Sequence, residues 1–304
     1  MSVLVAGTLS FDSVETHAGC RENEPGGSAL FAAFAAARTT EVRLLTVIGA
    51  DFHEPTLTQL GDLGTDLGGV ERAAGPTFRW RARYFEGGDR RETLATQFGV
   101  LTGWAPRLPE SYRSSPRVFL ANAAPDLQAM VLDQLTGPAL IALDTMGSWI
   151  ERDRKGLLAL LPRVDALLVN EEEALLLTGV ADPRQSARCL RAMGARVAVV
   201  KRGSKGAVAA CAGGILALPA CRVPQVVDPT GAGDVFGGAL VAALTAAPGG
   251  GPELVALGEA LAWASALASA VVEDFGLAGL TRLTPDEARH RRDALRRQLR
   301  CVES

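Results

Sequence analysis

Six short apolar runs recur along the 304-residue chain, and each is followed by a longer segment with helical character. Runs that are apolar at successive positions are typical of strands buried on both faces, as in parallel sheets covered by helices. The sequence therefore predicts an α/β fold with a central, mostly parallel sheet flanked by helices. The predicted strands are 2–7, 42–47, 117–121, 140–144, 166–170 and 196–200, and the predicted helices are 28–38, 54–62, 125–136, 150–161, 171–178 and 183–193.

The segment 77–98, TFRWRARYFEGGDRRETLATQF, interrupts this alternation. It reads as two strands around Gly87-Gly88-Asp89, a sequence typical of a hairpin turn. On the first strand aromatic residues alternate with arginines, so the two kinds of side chain occupy opposite faces. We interpret the segment as a small antiparallel insertion, either ornamental, a lid over a site, or a dimer surface.

Composition disfavours several classes of protein. The net charge of -3 provides no basic footprint for nucleic acid or an anionic membrane. The five cysteines include no C-x-x-C pair, which disfavours a disulfide framework or zinc site and favours a reducing, cytoplasmic compartment. The apolar stretch 253–272 is long enough to span a membrane, but it carries Glu253 and Glu259 and fits better as a buried helix.

Residues 226–240, VVDPTGAGDVFGGAL, form the most specific motif. Asp228 and Asp234 enclose a turn with glycines at 231 and 233, and an apolar helical pattern follows. Glycine lets the backbone approach a ligand closely, and the unpaired N–H groups at a helix start attract anions such as phosphate. An isolated G-A-G-D turn reads as a simple helix cap, whereas the complete string D-P-T-G-A-G-D is far more specific.

With this string the chain resembles the ribokinase-like (PfkB) family of small-molecule kinases over nearly its whole length. The features that carry the resemblance are the string Asp228 to Asp234, the early pair Gly26-Gly27, the strand end Asn170-Glu171-Glu172-Glu173 and the hairpin insertion. The resemblance implies a ribokinase-like three-layer fold. It also implies a single domain over 1–304, with a small β lid from about 12–24 and 75–101.

The resemblance further implies an ATP- and Mg²⁺-dependent kinase that transfers the γ-phosphate to an alcohol hydroxyl of a sugar or sugar-like acceptor. Asp234 is then the general base, and the backbone amides of Gly231, Ala232 and Gly233 form the anion hole. Asp228 holds the loop, beside a site for a monovalent cation such as K⁺.

Two further segments correspond to parts of the family that bind the nucleotide. Asn170 and Glu173 match its N-x-x-E motif, which holds Mg²⁺ largely through water, although a helix cap with first-turn acids explains the same residues. The segment KRGSKG (201–206) corresponds to a turn that contacts ATP, with a surface turn as the alternative. The ATP contacts implied there are Lys201, Gly203, Lys205 and Gly206. Phe275-Gly276 and the helix 253–270 are expected near the adenine.

The acceptor end departs from the family at one position. Asp12 follows the first strand, where the family has an acid that binds acceptor hydroxyls, and the backbone of Gly26 and Gly27 approaches the acceptor. Phe31 stands where many members have an asparagine that touches the sugar. This departure favours either an acceptor with an apolar portion, such as a nucleoside, or a differently built sugar pocket. The implied acceptor residues are Asp12, Gly26, Gly27, Ser28, Phe31 and Asn122, and Asp144 is a further strand-end candidate.

Other functions have weaker support. GTLSFD (7–12) lacks the G-x-G-x-x-G of a dinucleotide-binding oxidoreductase, and no Walker motif G-x-x-x-x-G-K-[ST] occurs. A non-catalytic sensor on the same fold remains an alternative, which the complete set of base and metal residues disfavours. The expected partners are ATP and a small-molecule acceptor, without nucleic acid or membrane, and a homodimer through the β lid.

Overall fold

The computed structural model describes residues 2–85, 87–88, 90–244 and 254–302, so Asp89 of the predicted turn lies outside the described residues. All six predicted strands and all six predicted helices are confirmed. The strands are β1 Val3–Ala6, β2 Ser10–Thr16, β3 Gly19–Gly26, β4 Val42–Gly49, β5 Thr65–Ala73, β6 Phe78–Tyr84, β7 Arg91–Gln97, β8 Arg117–Leu120, β9 Leu140–Asp144, β10 Ala166–Asn170, β11 Val197–Lys201, β12 Ala207–Cys211, β13 Gly214–Leu218 and β14 Arg300–Val302. The helices are α1 Ser28–Ala36, α2 Glu54–Asp62, α3 Pro125–Leu132, α4 Gly147–Leu160, α5 Glu171–Thr178, α6 Pro183–Ala192, α7 Ala232–Ala243, α8 Leu254–Val271, α9 Ala278–Arg282 and α10 Pro285–Arg296.

The main sheet has the strand order β14-β13-β12-β11-β10-β9-β8-β1-β4-β5. The strands from β11 to β5 pair in parallel, and β12, β13 and β14 add antiparallel at one edge. Both faces are buried, because Val3 and Val5 pack into one hydrophobic core and Leu4 and Ala6 into the other. This burial explains why the strands are apolar at successive positions.

Helices cover both faces of this sheet and give the fold three layers. Buried residues of α1, α7, α8 and α10 belong to one core, and those of α3, α4, α5 and α6 belong to the other. The helix α8 is long and apolar enough to cross a membrane, but it packs between α7 and α10, and 67% of its apolar window is buried. Burial in the core accounts for its composition, as the sequence predicts.

A second, small sheet has the order β3-β2-β6-β7 and contains the predicted hairpin as β6 and β7. The strands β2 and β6 pair in parallel, although β3, α1, β4, α2 and β5 separate them in the chain. The predicted two faces of β6 are present, because Ala82 and Tyr84 are buried whereas Arg81 and Arg83 are exposed and form ion pairs of 2.8 Å with Glu15. The aromatic face therefore turns towards the body of the protein.

Candidate active site

The loop from Asp228 leads into α7 and is held by hydrogen bonds to a buried carboxylate. One oxygen of Asp228 accepts the N–H of Thr230 at 2.9 Å, and the other accepts the N–H of Gly276 at 3.3 Å. Gly231 caps α7 with φ of 76°, a left-handed conformation that favours glycine. At the start of α7 the Ala232 N–H donates to the Pro229 carbonyl oxygen at 3.2 Å, so of the three amides predicted for the anion hole this one already has a partner within the turn.

Asp234 is the third residue of α7 and lies in a cleft among other charged groups. Part of its side chain reaches solvent, but the surrounding protein and the nearby carboxylate of Asp144 raise its pKa to about 7. The positive charges of Lys201 and Arg91 partly oppose this rise. A carboxyl group with this pKa can take up a proton near neutral pH, which is what a general base requires.

Asp144 and Lys201 form a buried ion pair at the carboxyl edge of the sheet. They end the strands β9 and β11, and the Lys201 Nζ lies 2.5 Å from an oxygen of Asp144. Burial lowers the pKa of Lys201, but the charges of Asp144, Glu173 and Asp234 outweigh this effect and raise it. A β-carbon on Gly233 would lie 3.2 Å from that Nζ, so the ammonium group sits directly beneath the first turn of α7.

Asn170 and Glu173 join the end of β10 to α5 through a reciprocal capping box. The Asn170 Oδ1 accepts the Glu173 N–H, and Glu173 Oε2 accepts the Asn170 N–H, each at 2.8 Å. Burial raises the pKa of Glu173 to about 7, with Lys201 opposing the rise and Asp144 adding to it. The structure thus shows the cap that the sequence allowed as an alternative, and the cap leaves one Glu173 oxygen without a bond to Asn170.

The two lysines of the turn 201–206 lie in different surroundings. Lys201 lies within the charged cleft, whereas Lys205 is exposed and pairs with Glu171 at 3.0 Å. Gly203 and Gly206 have φ of 52° and 94°, so both glycines shape the turn. A β-carbon on Gly206 would approach the Leu218 carbonyl oxygen to 2.0 Å.

Asp12 lies on β2 and is buried against the early glycine pair. Its carboxylate accepts the Ser10 hydroxyl at 2.7 Å, and a β-carbon on Gly26 would lie 2.1 Å from its other oxygen. Burial raises the pKa of Asp12 to about 7, although hydrogen bonds from Ser10 and the Gly27 backbone oppose the rise. Gly27 caps α1 with φ of 99°, which only glycine adopts readily.

A small cavity joins Asp12 to the signature loop. Its lining residues are Asp12, Val14, Arg21, Glu24, Pro25, Phe31, Asp228, Thr230 and Gly276. Thr230 contributes a buried hydroxyl that faces the side chain of Tyr84. Gly276, which is predicted to lie near the adenine, is one of the residues that line this cavity.

Ser28 and Asn122 lie beside this cavity but belong to the junction between β1, α1 and β8. The Ser28 hydroxyl donates to the Asn122 carbonyl oxygen at 2.9 Å and also contacts the Thr8 hydroxyl at 3.1 Å. Neither residue is among those that line the cavity. Within the described residues, Ser28 therefore connects elements of the fold.

Two site residues that the sequence did not single out come from the small sheet. Tyr84 and Arg91 are directly paired at the end of the hairpin, and the turn glycine Gly88 approaches Val226 and Pro229, since a β-carbon there would lie 3.1 Å and 3.3 Å from their side chains. The alternation in 77–98 indicated the face of Tyr84. Nothing in the sequence indicated which arginine of the hairpin would reach the signature loop.

Comparison with known proteins identifies the family. The model of the pfkB family carbohydrate kinases matches residues 129–282. The chain is also 32% identical to a cytidine kinase from Thermococcus kodakarensis over 248 residues, which cover 80% of this chain and 88% of that protein. This chain belongs to the pfkB family.

Solved structures agree with the fold of this pfkB-family chain. A nucleoside kinase from Burkholderia thailandensis in complex with inosine superposes with a TM-score of 0.76 at 19% identity, covering 96% of each chain. A ribokinase II from E. coli in complex with ATP and Mg²⁺ superposes with a TM-score of 0.78 at 19% identity, covering 96% of this chain and 99% of that one. The pfkB-family chain is a phosphotransferase with an alcohol group as acceptor.

Proposed function

We propose that this pfkB-family kinase transfers the γ-phosphate of ATP to a hydroxyl of a sugar or nucleoside, with Asp234 as the general base. The observation that carries the proposal is the position of Asp234 in the first turn of α7, directly after the glycine turn and with its pKa raised to about 7. A base and an anion-binding turn then occupy one helix start, where phosphoryl transfer needs both.

In the proposed reaction the acceptor oxygen forms a bond to the γ-phosphorus while the bond to the bridging oxygen of ADP breaks. The bonding electrons leave with ADP, and Asp234 takes the hydroxyl proton. The amides of Gly231, Ala232 and Gly233 stabilise the negative charge on the transferring group. Lys201, beneath this turn and held by Asp144, adds a fixed positive charge.

The donor set near the signature fits Mg²⁺ held mainly through water. Among the described residues no group of three or more His, Cys, Asp or Glu could hold a metal ion, so Glu173 would supply a single carboxylate. Mg²⁺ retains several waters and takes phosphate oxygens readily, so one protein carboxylate with Asn170 beside it is a suitable set. When bound, the ion would neutralise charge on the phosphates of ATP. For Asp228 we propose a role in fixing the loop, beside a site for a monovalent cation such as K⁺.

For the acceptor, we propose a nucleoside as the second candidate. Phe31 lines the cavity beside Asp12, so an apolar ring of an acceptor has an aromatic neighbour there. The cytidine kinase relative supports this candidate. We propose that the small sheet closes over the acceptor as a lid, because it carries Asp12 itself.

The test is an ATP-consumption assay across sugars, sugar phosphates, inositols and nucleosides, with Asp234→Asn as the control. We expect one acceptor class to stimulate ADP formation and Asp234→Asn to lower turnover by about 1,000-fold or more while binding ATP normally. Turnover of Asp234→Asn close to that of the wild type would contradict the role of the base. Preference for ribose or fructose over nucleosides would contradict the second candidate.

A further inference from the structure

The hairpin of the small sheet brings an arginine to the reaction centre. Tyr84 on β6 and Arg91 on β7 are directly paired, and residues opposite each other in an antiparallel pair share one face. This face is the inward one, because Ala82 and Tyr84 are buried on it. The turn beyond the pair rests on Val226 and Pro229 of the signature segment, which anchors this end of the hairpin beside the loop.

Charges within the site act on Arg91. Desolvation lowers the pKa of its guanidinium, but Tyr84, Glu173 and Asp234 outweigh that effect and raise it. Arg91 in turn lowers the pKa of both Glu173 and Asp234, so its charge reaches the two carboxyl groups proposed for Mg²⁺ and for the base. The residue nevertheless remains accessible to solvent, as a group that meets a substrate must be.

Arg91 differs from the arginines on β6, the other strand of its hairpin. The guanidinium groups of Arg79, Arg81 and Arg83 form ion pairs of 2.7–2.8 Å with carboxylates on the outer face. For Arg91 no ion pair is found among the described residues; its side chain interacts with Tyr84, and its Cζ lies 5.6 Å from the centre of the Trp80 ring. Lys201, the other cation of the cleft, is already bound to Asp144. With five N–H donors, the Arg91 guanidinium can interact with Tyr84 and still donate hydrogen bonds to a ligand.

We propose that Arg91, on the small sheet, is a catalytic residue. Its guanidinium binds the phosphoryl group in the transition state of transfer from ATP to the acceptor hydroxyl. The inference rests on the proposed phosphoryl transfer. As the bond to ADP breaks and the bond to the acceptor forms, negative charge spreads over the three remaining oxygens of the group. A planar guanidinium with several N–H donors matches two of those oxygens at once. Closure of the small sheet then completes the site as well as covering it.

The experiment compares Arg91→Gln and Arg91→Lys with Arg90→Gln, the neighbouring arginine whose Cζ lies 4.6 Å over the Phe85 ring. We expect Arg91→Gln to lower kcat by about 100-fold with little change in the KM for ATP, and Arg90→Gln to leave both nearly unchanged. Added guanidinium ion should restore part of the rate of Arg91→Gln. If Arg91 were merely structural, Arg91→Gln would raise the KM for ATP and the KM for the acceptor, lower the Tm and show no rescue by guanidinium ion.

A binding measurement tests the same inference without turnover. Calorimetry compares the affinity for ADP and Mg²⁺ with and without aluminium fluoride, a mimic of the planar transferring group. We expect the fluoride to tighten binding to the wild type and to Arg90→Gln, and this gain to fall at least about 10-fold in Arg91→Gln. An equal gain in Arg91→Gln would overturn the role of Arg91 and leave the proposed kinase reaction intact. If aluminium fluoride did not tighten ADP binding to the wild type, the result would count against both the role of Arg91 and the proposed kinase reaction.

Discussion

The ring of Phe31 lies directly against the backbone of Gly231, where a β-carbon would come within 2.4 Å of the ring. This contact joins α1, which follows the early glycine pair, to the turn that begins α7. The residue that departs from the family pattern on the acceptor side therefore also packs against the proposed anion hole. Changes at Phe31 are expected to affect both the choice of acceptor and the shape of that turn.

Replacing Gly231 by alanine should damage the protein in two separable ways. The methyl group would overlap the Phe31 ring, and the left-handed φ of 76° strains any residue with a β-carbon. We expect Gly231→Ala to lower turnover more than about 100-fold and to cost about 2–4 kcal/mol of unfolding free energy in urea.

The double variant Phe31→Ala/Gly231→Ala separates the two causes. It removes the overlap but leaves the strained backbone, so we expect it to be less destabilised than the sum of the two single variants. Strict additivity of the two losses would show that the ring does not restrain Gly231.

The rate should depend on pH near neutrality. A general base works in its deprotonated form, and the pKa of Asp234 is raised to about 7. We expect kcat/KM to rise with pH up to about 7 and then to level off. Because Asp12 titrates in the same range, the rise should be steeper than for one group, and Asp12→Asn should make it shallower. A profile that stays flat from about pH 5.5 to 8 would mean that the base has an ordinary carboxyl pKa.

The same carboxyl groups should make folding stability fall as pH rises. Between pH 3.8, the ordinary pKa of an aspartate, and a pH of about 7, Asp234 keeps its proton in the folded protein, whereas the unfolded chain has already lost it. Stability is therefore lost as pH increases through this window. We expect Asp234→Asn to be about 1–2 kcal/mol more stable than the wild type at pH 8, with the difference vanishing towards pH 4. Urea unfolding at both pH values measures this difference, and a less stable Asp234→Asn at pH 8 would contradict it.

Replacing one member of the ion pair of Asp144 and Lys201 should cost more unfolding free energy than replacing both members together. Each single replacement leaves one buried charge without its partner, so we expect Asp144→Asn and Lys201→Met each to cost about 3 kcal/mol. The double variant should recover much of this loss while keeping a raised KM for ATP. Unfolding in urea and steady-state kinetics on the four proteins give the coupling energy. A coupling energy near zero would show that the two groups act independently.

Glu173 can be tested for a metal role that is separate from its capping role. Glu173→Gln keeps an oxygen for the Asn170 N–H but removes a buried charge, so we expect a Tm at or above that of the wild type and about a 10-fold rise in the Mg²⁺ concentration for half-maximal rate. The matched control is Glu287, which forms the same kind of capping box with Thr284 on α10. Glu287→Ala should cost about 0.5–2 kcal/mol and leave the Mg²⁺ dependence unchanged. If Glu173→Gln had an unchanged Mg²⁺ requirement, Glu173 would have no role in binding the metal and would serve only as a helix cap.

Much of the fold, and the centre of the candidate site, could be predicted from local sequence patterns. The strands are apolar at successive positions because helices cover both of their faces, and the turn before α7 needs glycine at a left-handed position. Both constraints act within a few residues, so both can be read from the sequence. The reciprocal cap of Asn170 and Glu173 is equally local, as it spans one helical turn.

Relationships between distant segments could not be predicted in the same way. The pairing of Asp144 with Lys201 depends on the order of β9, β10 and β11 in the sheet, and the inward position of Arg91 depends on the register of β6 and β7. Lys201 and Lys205 look equivalent in the sequence, yet the first ends a buried strand and the second lies beyond it, beside Glu171. Burial of each lysine is decided by neighbours far away in the chain.

The parallel pairing of β2 with β6 has a consequence for protein engineering. The small sheet is assembled from two stretches of chain that α1, β4, α2 and β5 separate in the sequence. No contiguous cassette encodes it. A chimera that aims to import the acceptor preference of a relative must exchange residues 10–26 and 78–97 together, because either stretch alone would meet a foreign partner along a whole strand.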